Sequence, residues 1–186
     1  MRRGGTGGAS TLTGLIFEAQ NDFYEYLTNL NGYELRRNDN AKGKSRFEDI
    51  YYNNHLVGHL FQKHGLYHFI ESKGIDWKDV WSSRLLPDEG LFVLVNNKVY
   101  IVEKKYQEVP GSVDEKLQTA DFKLKKYQKL FNLLNYEVEY IYLLNDWFEQ
   151  KRYKDSIDYV KSIKGCSCYI NKIPFEIFGL PIPGED

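Results

Sequence analysis

The strongest constraint on the fold of this chain is a pair of short apolar runs within residues 85–107. The first run is Leu91–Val95, the second is Val99–Val102, and Asn96 and Asn97 lie between them. Asparagine tolerates the positive φ that tight hairpin turns require. The sequence therefore predicts two antiparallel strands joined by a two-residue turn.

Charged residues mark the open end of this predicted hairpin. Asp88 precedes the first strand, and the second strand ends in the charged run from Glu103 to Lys105. The start of one strand lies beside the end of the next in such a pair, so Asp88 and Glu103 are expected to converge. Side chains alternate along a strand, so Glu103, Lys105 and Gln107 should share one face while Lys104 points to the other.

Two carboxylates and a lysine at one point are the minimum set for metal-assisted hydrolysis of a phosphodiester. Carboxylate oxygens bind hard divalent cations such as Mg²⁺. A lysine beside them can orient or deprotonate a water, or stabilise the charge that builds on a phosphate. The open end of the hairpin is therefore the candidate active site.

The residues Pro87-Asp88 and, after the hairpin, Glu103-x-Lys105 resemble the motif of the PD-(D/E)XK nuclease superfamily. The chain looks most like the type II restriction endonucleases of that superfamily, and the likeness extends more loosely over residues 66–180. The resemblance implies a deoxyribonuclease that cuts double-stranded DNA and leaves a 5′-phosphate and a 3′-hydroxyl.

The resemblance also implies a role for each residue of the motif. Asp88 and Glu103 would bind Mg²⁺, helped by the backbone carbonyl of Lys104. Lys105 would position the attacking water, and Gln107 would support the site. Because Lys104 would contribute only its carbonyl, Lys104→Ala is expected to stay near wild type, whereas Lys105→Ala should lose about a hundredfold in rate.

A helix is predicted from Thr13 to about Leu30, and Glu18 lies off its apolar stripe. Many members of the superfamily carry an acidic residue on the first helix that faces the metal, and Glu18 is the best-placed residue for this role. The alternative is a solvated surface glutamate. Residues 1–10 are glycine-rich with two arginines, and they form either a disordered tail or a flexible basic arm that reaches a DNA groove.

The order of the predicted elements is that of a single α/β domain over residues 1–186, with a central mixed β-sheet flanked by helices, as in the restriction-endonuclease-like core that the resemblance implies. The strand that ends at Glu103, the next helix and the strand from Val138 form a crossover, which would make the two strands parallel. The other predictions are two strands within 33–54, short helices within 55–84, a helix over 112–134, strands over 138–144 and 166–170, a helix over 155–164, and a tail from Pro174 that covers the surface.

Length and composition favour one globular domain, because the chain has 186 residues of which 42% are apolar. No apolar run approaches the roughly 20 residues of a membrane helix. No apolar segment follows the N-terminal arginines, so no secretory signal is predicted. Cys166 and Cys168 are too few for a disulfide framework or a zinc site, and they are expected to be free thiols in a cytoplasmic protein.

The net charge of −1 gives no overall basic signature, so a surface for nucleic acid must be local. Residues 36–46 hold five basic residues against one acid, and residues 98–129 hold eight lysines against five acids. Each stretch is either a solvated surface or one that contacts phosphates. In the second case Lys123, Lys125 and Lys126 are expected to act together, so that replacing all three weakens binding to every DNA sequence about equally.

All four histidines lie between His55 and His68, in the region predicted as short helices. His55 and His59 would share a helix face at a spacing that suits zinc, but no HExxH pattern or nearby cysteine accompanies them. Contacts with DNA and plain surface positions are the alternatives.

Together these features favour a magnesium-dependent, sequence-specific DNA endonuclease of a restriction system. Such an enzyme would read a palindrome as a symmetric homodimer and would have a cognate DNA methyltransferase as its partner. One alternative is a structure-selective or repair nuclease of the same superfamily. The other is a DNA-binding module without catalysis, whose carboxylates serve only in salt bridges. The target sequence is not predicted, since base contacts come from loops.

Overall fold

The fold comes from a computed structural model that describes residues 17, 21–110 and 113–184, without the side chains of Val113 and Asp114. Four predictions lie outside these residues. They are the basic arm over residues 1–10, the start of the first helix at Thr13, the metal ligand Glu18 and the start of the helix at Ser112.

The architecture is α/β, built on one seven-stranded mixed sheet whose strands follow one another in chain order. Neighbours from the first strand to the fifth are antiparallel, and the last three strands are parallel. The strands are β1 Tyr33–Arg37, β2 Phe47–Tyr52, β3 His55–Phe61, β4 Glu89–Val93, β5 Lys98–Lys105, β6 Glu137–Leu144 and β7 Cys166–Ile170.

Helices cover both faces of the sheet, and none of those in the described part of the chain is long and apolar enough to cross a membrane. They are α1 Phe23–Thr28, α2 Gly65–Ser72, α3 Val113–Leu117, α4 Ala120–Phe131 and α5 Lys154–Ser162. Short 3₁₀ segments are Trp77–Asp79, Asn132–Leu134, Asp146–Glu149, Lys151–Tyr153 and Phe175–Phe178.

Each face of the sheet has its own apolar core. On the α4 face, residues of α2, α3, α4 and α5 pack against alternate side chains of the central strands. On the α1 face, α1 and the C-terminal tail pack against the other set of alternate side chains. In β5, Val99 and Ile101 belong to the α4 face, whereas Tyr100 and Val102 belong to the α1 face. This alternation decides on which face each charged residue at the end of β5 lies.

The predicted crossover is confirmed, because β5 and β6 pair in parallel with Glu103 opposite Tyr142. The connection contains two helices, and not the single helix that the sequence predicts. Gln118 and Thr119 form a turn between α3 and α4. The Thr119 hydroxyl donates a hydrogen bond to the Lys116 carbonyl at 2.7 Å, and such local bonds compete with the helical ladder.

The turn of the β4–β5 hairpin also differs from the prediction. A two-residue turn would pair Val95 with Lys98, but Val93 pairs with Lys98 and the loop takes four residues, 94–97. Val95 is exposed to solvent as a result, over 78% of its surface. Loops of four residues are a common alternative in hairpins.

Tertiary contacts of the two asparagines explain the longer loop. The Asn96 side-chain amide donates to the Phe178 carbonyl at 3.1 Å, in the C-terminal 3₁₀ segment. The Asn97 side-chain amide donates to the Asn135 carbonyl at 2.9 Å, just before β6. These bonds join the loop to two neighbouring elements. A turn rule that considers only the loop residues takes no account of either element.

Two further helical predictions were wrong. The region after residue 54 begins with strand β3 because Asn53 and Asn54, at φ 47° and 64°, close a tight hairpin between Tyr52 and His55. The first helix does not run unbroken to Leu30, since residues 21 and 22 are not helical. Asp22 instead caps α1, where its side chain accepts the Tyr24 backbone N–H at 2.8 Å.

The end of the chain covers the α1 face, as the prediction of a surface strap requires. Phe175 and Phe178 are buried there, and the Tyr33 hydroxyl donates to the Pro181 carbonyl at 2.5 Å. Cys166 and Cys168 in β7 are free and half-buried, as predicted. Burial raises the pKa of the Cys166 thiol to about 12 and that of Cys168 to about 11, so both stay protonated at neutral pH.

Candidate functional site

The open end of the β4–β5 hairpin lies at the edge of the sheet where β5, β6 and β7 end. Glu89 pairs with Val102 in this hairpin, so Asp88, the residue before β4, comes beside Glu103. Ligands of open α/β sheets bind outside the carboxyl ends of parallel strands. The predicted convergence of Asp88 and Glu103 is therefore confirmed, and it occurs at the edge where such folds hold their ligands.

Asp88 is fixed by the backbone of β5. Its Oδ2 accepts the backbone N–H of Lys104 at 2.8 Å and lies 3.7 Å from the Lys105 Nζ. Burial raises the pKa of Asp88, and the positive charge of Lys105 opposes that effect. A third of the side chain is still exposed, so the carboxylate can exchange partners with a ligand from solvent.

The ammonium of Lys105 lies among the three groups predicted to hold a metal. Its Nζ is 2.8 Å from Glu103 Oε1, 3.0 Å from the Lys104 carbonyl oxygen and 3.7 Å from Asp88 Oδ2. These oxygens thus already surround one positive charge. The lysine ammonium thus occupies the position among these oxygens that the motif assigns to a metal cation.

Lys123 of α4 is a further member of this group, which the sequence does not predict. Its Nζ lies 3.0 Å from Glu103 Oε1, the same oxygen that accepts a hydrogen bond from Lys105. Burial alone would raise the pKa of Glu103, but Lys105 and Lys123 together lower it below its ordinary value. The available signal was the helical spacing, since Lys123 lies one turn from the buried residues Ala120 and Tyr127.

The predicted alternation of the two lysines is also confirmed. Lys104 points to the α1 face, where its Nζ is 3.3 Å from Oε2 of Glu89 and both side chains are almost fully buried. The Glu89 Oε1 accepts the Phe23 backbone N–H at 3.1 Å and the Gln62 side-chain amide at 2.9 Å. Burial raises the pKa of Glu89 to about 7 even though Lys104 opposes the shift.

Gln107 does not join Asp88, Glu103 and Lys105 in the contacts that the structure describes. It lies beyond the end of β5, so the strand alternation does not extend to it. Its side-chain amide donates to the Val109 carbonyl at 2.6 Å, and its backbone N–H donates to Asn145 Oδ1 at 3.0 Å. Gln107 therefore connects the ends of β5 and β6.

The three lysines expected to act together on α4 point to different places. Lys123 binds Glu103, Lys125 pairs with Asp121 at 2.7 Å in solvent, and Lys126 donates to the Ser83 carbonyl at 3.0 Å. Each of the three ammonium groups thus has its own partner within the protein, and their joint binding of phosphate stays a prediction.

Most basic side chains of residues 36–46 have partners within the protein. Arg36 pairs with Glu34, Lys42 pairs with Glu71, and Arg46 pairs with Asp22. Arg37 donates to the carbonyls of Gly43 and Ser45. This loop lies at the same edge of the sheet as Asp88, because the Gln62 backbone N–H donates to the Arg46 carbonyl and that of Lys63 to the Pro87 carbonyl.

The histidines do not form the helical pair that the spacing suggested. His55 and His59 are both in β3, and the buried His59 has its Nδ1 2.7 Å from Asp49 Oδ1. The ring stacks on Phe92 with the centroids 6.0 Å apart. Burial lowers the pKa of His59 despite the carboxylate, so this histidine is a neutral part of the core at physiological pH.

The chemistry of the donor set fits Mg²⁺. Asp88, Glu103 and the Lys104 carbonyl supply oxygen atoms alone, and Mg²⁺ commonly binds one or two carboxylates and completes its shell with water and phosphate oxygens. Across the described residues, no group of three or more His, Cys, Asp and Glu side chains could hold a metal. A site with two carboxylates and a carbonyl suits a hard cation that retains waters, and not zinc.

Comparisons of the chain with protein-family models, with curated proteins and with solved structures found no match. The geometry of this site and the motif that carries it are therefore the features that indicate a function.

Proposed function

We propose that this protein is a magnesium-dependent endonuclease that cuts double-stranded DNA, most like a type II restriction enzyme, with the core of that fold. One observation carries the proposal. The Lys105 ammonium lies within 2.8–3.7 Å of two carboxylates and one carbonyl, so the chain already holds a cation on the oxygens that its motif assigns to a metal.

Each residue has a distinct task in this proposal. Asp88, Glu103 and the Lys104 carbonyl would hold Mg²⁺, which when bound polarises the phosphate and lowers the pKa of a water. Lys105 gives up its place on these oxygens and orients the attacking water toward phosphorus. Attack breaks the bond to O3′ and leaves a 3′-hydroxyl and a 5′-phosphate. Gln107 would support the end of β5, and Glu18 remains a further candidate ligand.

The basic segment at the same edge of the sheet supports DNA as the substrate, although most of its side chains also have partners within the protein. Residues 36–46 lie there together with Lys63, whose backbone N–H donates to the Pro87 carbonyl just before Asp88. A duplex over this edge would place a phosphate at Asp88 and Glu103. As a restriction enzyme, the protein would act as a homodimer on a palindrome and have a methyltransferase partner.

The test is cleavage of supercoiled plasmid from a methylation-free host, with Mg²⁺ or with EDTA. We expect cleavage with Mg²⁺ and none with EDTA. Asp88→Asn and Glu103→Gln should each lower the rate of cleavage by about a thousandfold, equivalent to about 4 kcal/mol. Glu139→Gln is the matched control, because it removes a carboxylate from another lysine pair, with Lys98 at 3.0 Å. Equal rates in all variants would overturn the proposed site.

The same digest, extended to branched and damaged DNA and combined with a DNA-binding assay, separates the two rival functions. Discrete fragments indicate sequence-specific restriction, whereas cleavage confined to branched or damaged DNA indicates a structure-selective or repair nuclease. DNA binding without any cleavage indicates a non-catalytic module. One observation favours that last alternative: Glu103 Oε1 already accepts two ammonium groups, as a structural salt bridge would.

A further inference from the structure

The four charged side chains of the site balance one another before any metal is present. Asp88 and Glu103 carry two negative charges, and Lys105 and Lys123 carry two positive ones. The motif explains one lysine, because Lys105 belongs to it. Lys123 comes from another element, α4, and approaches Glu103 from the side of the crossover helix.

Lys123 is held more firmly than a surface lysine. Only 17% of its side chain is exposed, and its Nζ lies 5.9 Å from the ring centroids of both Tyr140 and Tyr142. Lys125, two positions on, has 74% of its side chain exposed. Folding therefore keeps the Lys123 ammonium beside Glu103, where it cannot simply move into water.

A divalent cation on Glu103 would leave Lys123 without its anion. Both ammonium groups lie within 3.0 Å of the oxygen that the cation would take, and like charges at this separation repel strongly inside a protein. Lys105 can move away along its own strand. Lys123 is packed against two rings, so it needs another anion at the same place.

We propose that Lys123 is a second lysine of the active site, which neutralises Glu103 in the metal-free protein and binds a phosphate of the DNA backbone once the metal takes Glu103. This inference rests on the proposed function. The charges of the site are then balanced with and without metal. When a divalent cation binds Glu103, the positive charge of Lys123 is left for the phosphate that enters.

The test compares Lys123→Met with Lys125→Met, since methionine keeps the apolar stem and removes only the charge. The first measurement is Mn²⁺ binding without DNA, monitored through the electron paramagnetic resonance signal of the free ion. Lys123→Met should bind Mn²⁺ about fivefold or more tightly than wild type, because one competing charge is gone. Lys125→Met should agree with wild type within about twofold.

The second measurement is binding to a labelled duplex, with Ca²⁺ in place of Mg²⁺ or with EDTA. Lys123→Met should bind about tenfold more weakly in Ca²⁺, the scale of one lost hydrogen bond to a charged group. It should bind like wild type in EDTA, where Lys123 is occupied by Glu103. Lys123→Arg keeps the charge and should retain most of the Ca²⁺-dependent binding.

Opposite changes in metal and DNA affinity are the signature of this role, since a merely structural lysine would weaken both. The inference is overturned if Lys123→Met matches Lys125→Met in both measurements, or if its DNA binding falls equally in EDTA. If wild type binds Mn²⁺ and cuts DNA, such a result leaves the proposed function intact. If wild type neither binds Mn²⁺ nor cuts, the proposed function fails and this inference fails with it. Thermal unfolding checks that each variant is folded, and Lys123→Gln replaces Lys123→Met if that variant does not fold.

Discussion

Lys104 and Lys105 are neighbours with the same chemistry, and the structure places them in opposite kinds of surroundings. On the α1 face, Lys104 and Glu89 are 5% and 0% exposed, and Glu89 also accepts hydrogen bonds from Phe23 and Gln62. On the α4 face, Lys105 shares Glu103 with a second lysine and lies 3.7 Å from a carboxylate that is a third exposed.

This difference separates an anchor from an exchangeable site. A fully buried ion pair cannot release one partner without leaving an uncompensated charge. A partly exposed group of charges can lose one cation to solvent and accept another. Lys104 takes part in both the anchor and the exchangeable site. Its side chain pairs with Glu89 in the anchor, while its backbone N–H contacts Asp88 and its carbonyl contacts Lys105.

The largest effect is expected from breaking the anchor. Lys104→Ala leaves the buried carboxylate of Glu89 without its cation, and above pH 7, where Glu89 is ionised in the folded protein, we expect a loss of about 3–5 kcal/mol in the free energy of unfolding. The expectation from sequence concerns the rate of cleavage, which should stay near wild type in the fraction of the variant that is folded. Urea denaturation in EDTA measures the change.

The control for the anchor removes both charges at once. Lys104→Met combined with Glu89→Leu leaves no unpaired charge, so it should be markedly more stable than Lys104→Met alone. If the double variant lost the sum of the two single losses, the pair would not be an interacting unit.

A smaller effect is expected on the exchangeable side. Lys105→Ala should unfold at a urea concentration close to that of wild type, since Glu103 keeps Lys123 as its partner. Cleavage by the folded protein should fall by about a hundredfold, which corresponds to about 2.7 kcal/mol. Single-turnover rates at saturating Mg²⁺ measure this loss.

Arginine at this position should restore little activity, because a planar fork does not replace a compact ammonium. Equal losses of rate per folded molecule in Lys105→Ala and Lys104→Ala would contradict separate roles for the two lysines.

The smallest effect concerns the pH dependence of stability. Burial raises the pKa of Glu89 from 4.5 to about 7, so between these values the folded protein keeps a proton that the unfolded chain has lost. The free energy of unfolding should therefore fall as pH rises through this window, by at most about 1.4 kcal/mol per pH unit for one group.

Glu89→Gln removes this group, so the difference in stability between wild type and variant, measured in EDTA at several pH values, isolates its slope. A wild type that gains stability relative to the variant as pH rises would contradict the assignment.

The two asparagine pairs of the chain illustrate what the sequence could predict. Asn53 and Asn54 form a two-residue turn with positive φ at both positions, whereas only Asn97 has positive φ in the second pair. The sequence predicts the two-residue turn at the second pair. A local turn rule cannot separate them, because the outcome depends on a bond from Asn96 to Phe178, far along the chain.

The same contrast holds for the site. Strand alternation and the hairpin were sufficient to bring Asp88, Glu103 and Lys105 together, since these depend on local geometry. Lys123 and the buried partner of Lys104 were missed. The first depends on the path of the crossover helix, and the second on how α1 packs against the opposite face.

The four-residue loop of the β4–β5 hairpin has a consequence at the other end of the strand. A pairing shifted by two residues would keep every side chain on its face and would still set acids against lysines, but it would put Asp88 opposite Lys105 in place of Glu103. Charge complementarity between facing residues would favour the shifted register, so it does not account for the observed one. The bonds of Asn96 and Asn97 favour the observed register, about 17 Å along β5 from Glu103. The position of Asp88 relative to Glu103 thus depends on contacts of Asn96 and Asn97, which touch neither carboxylate.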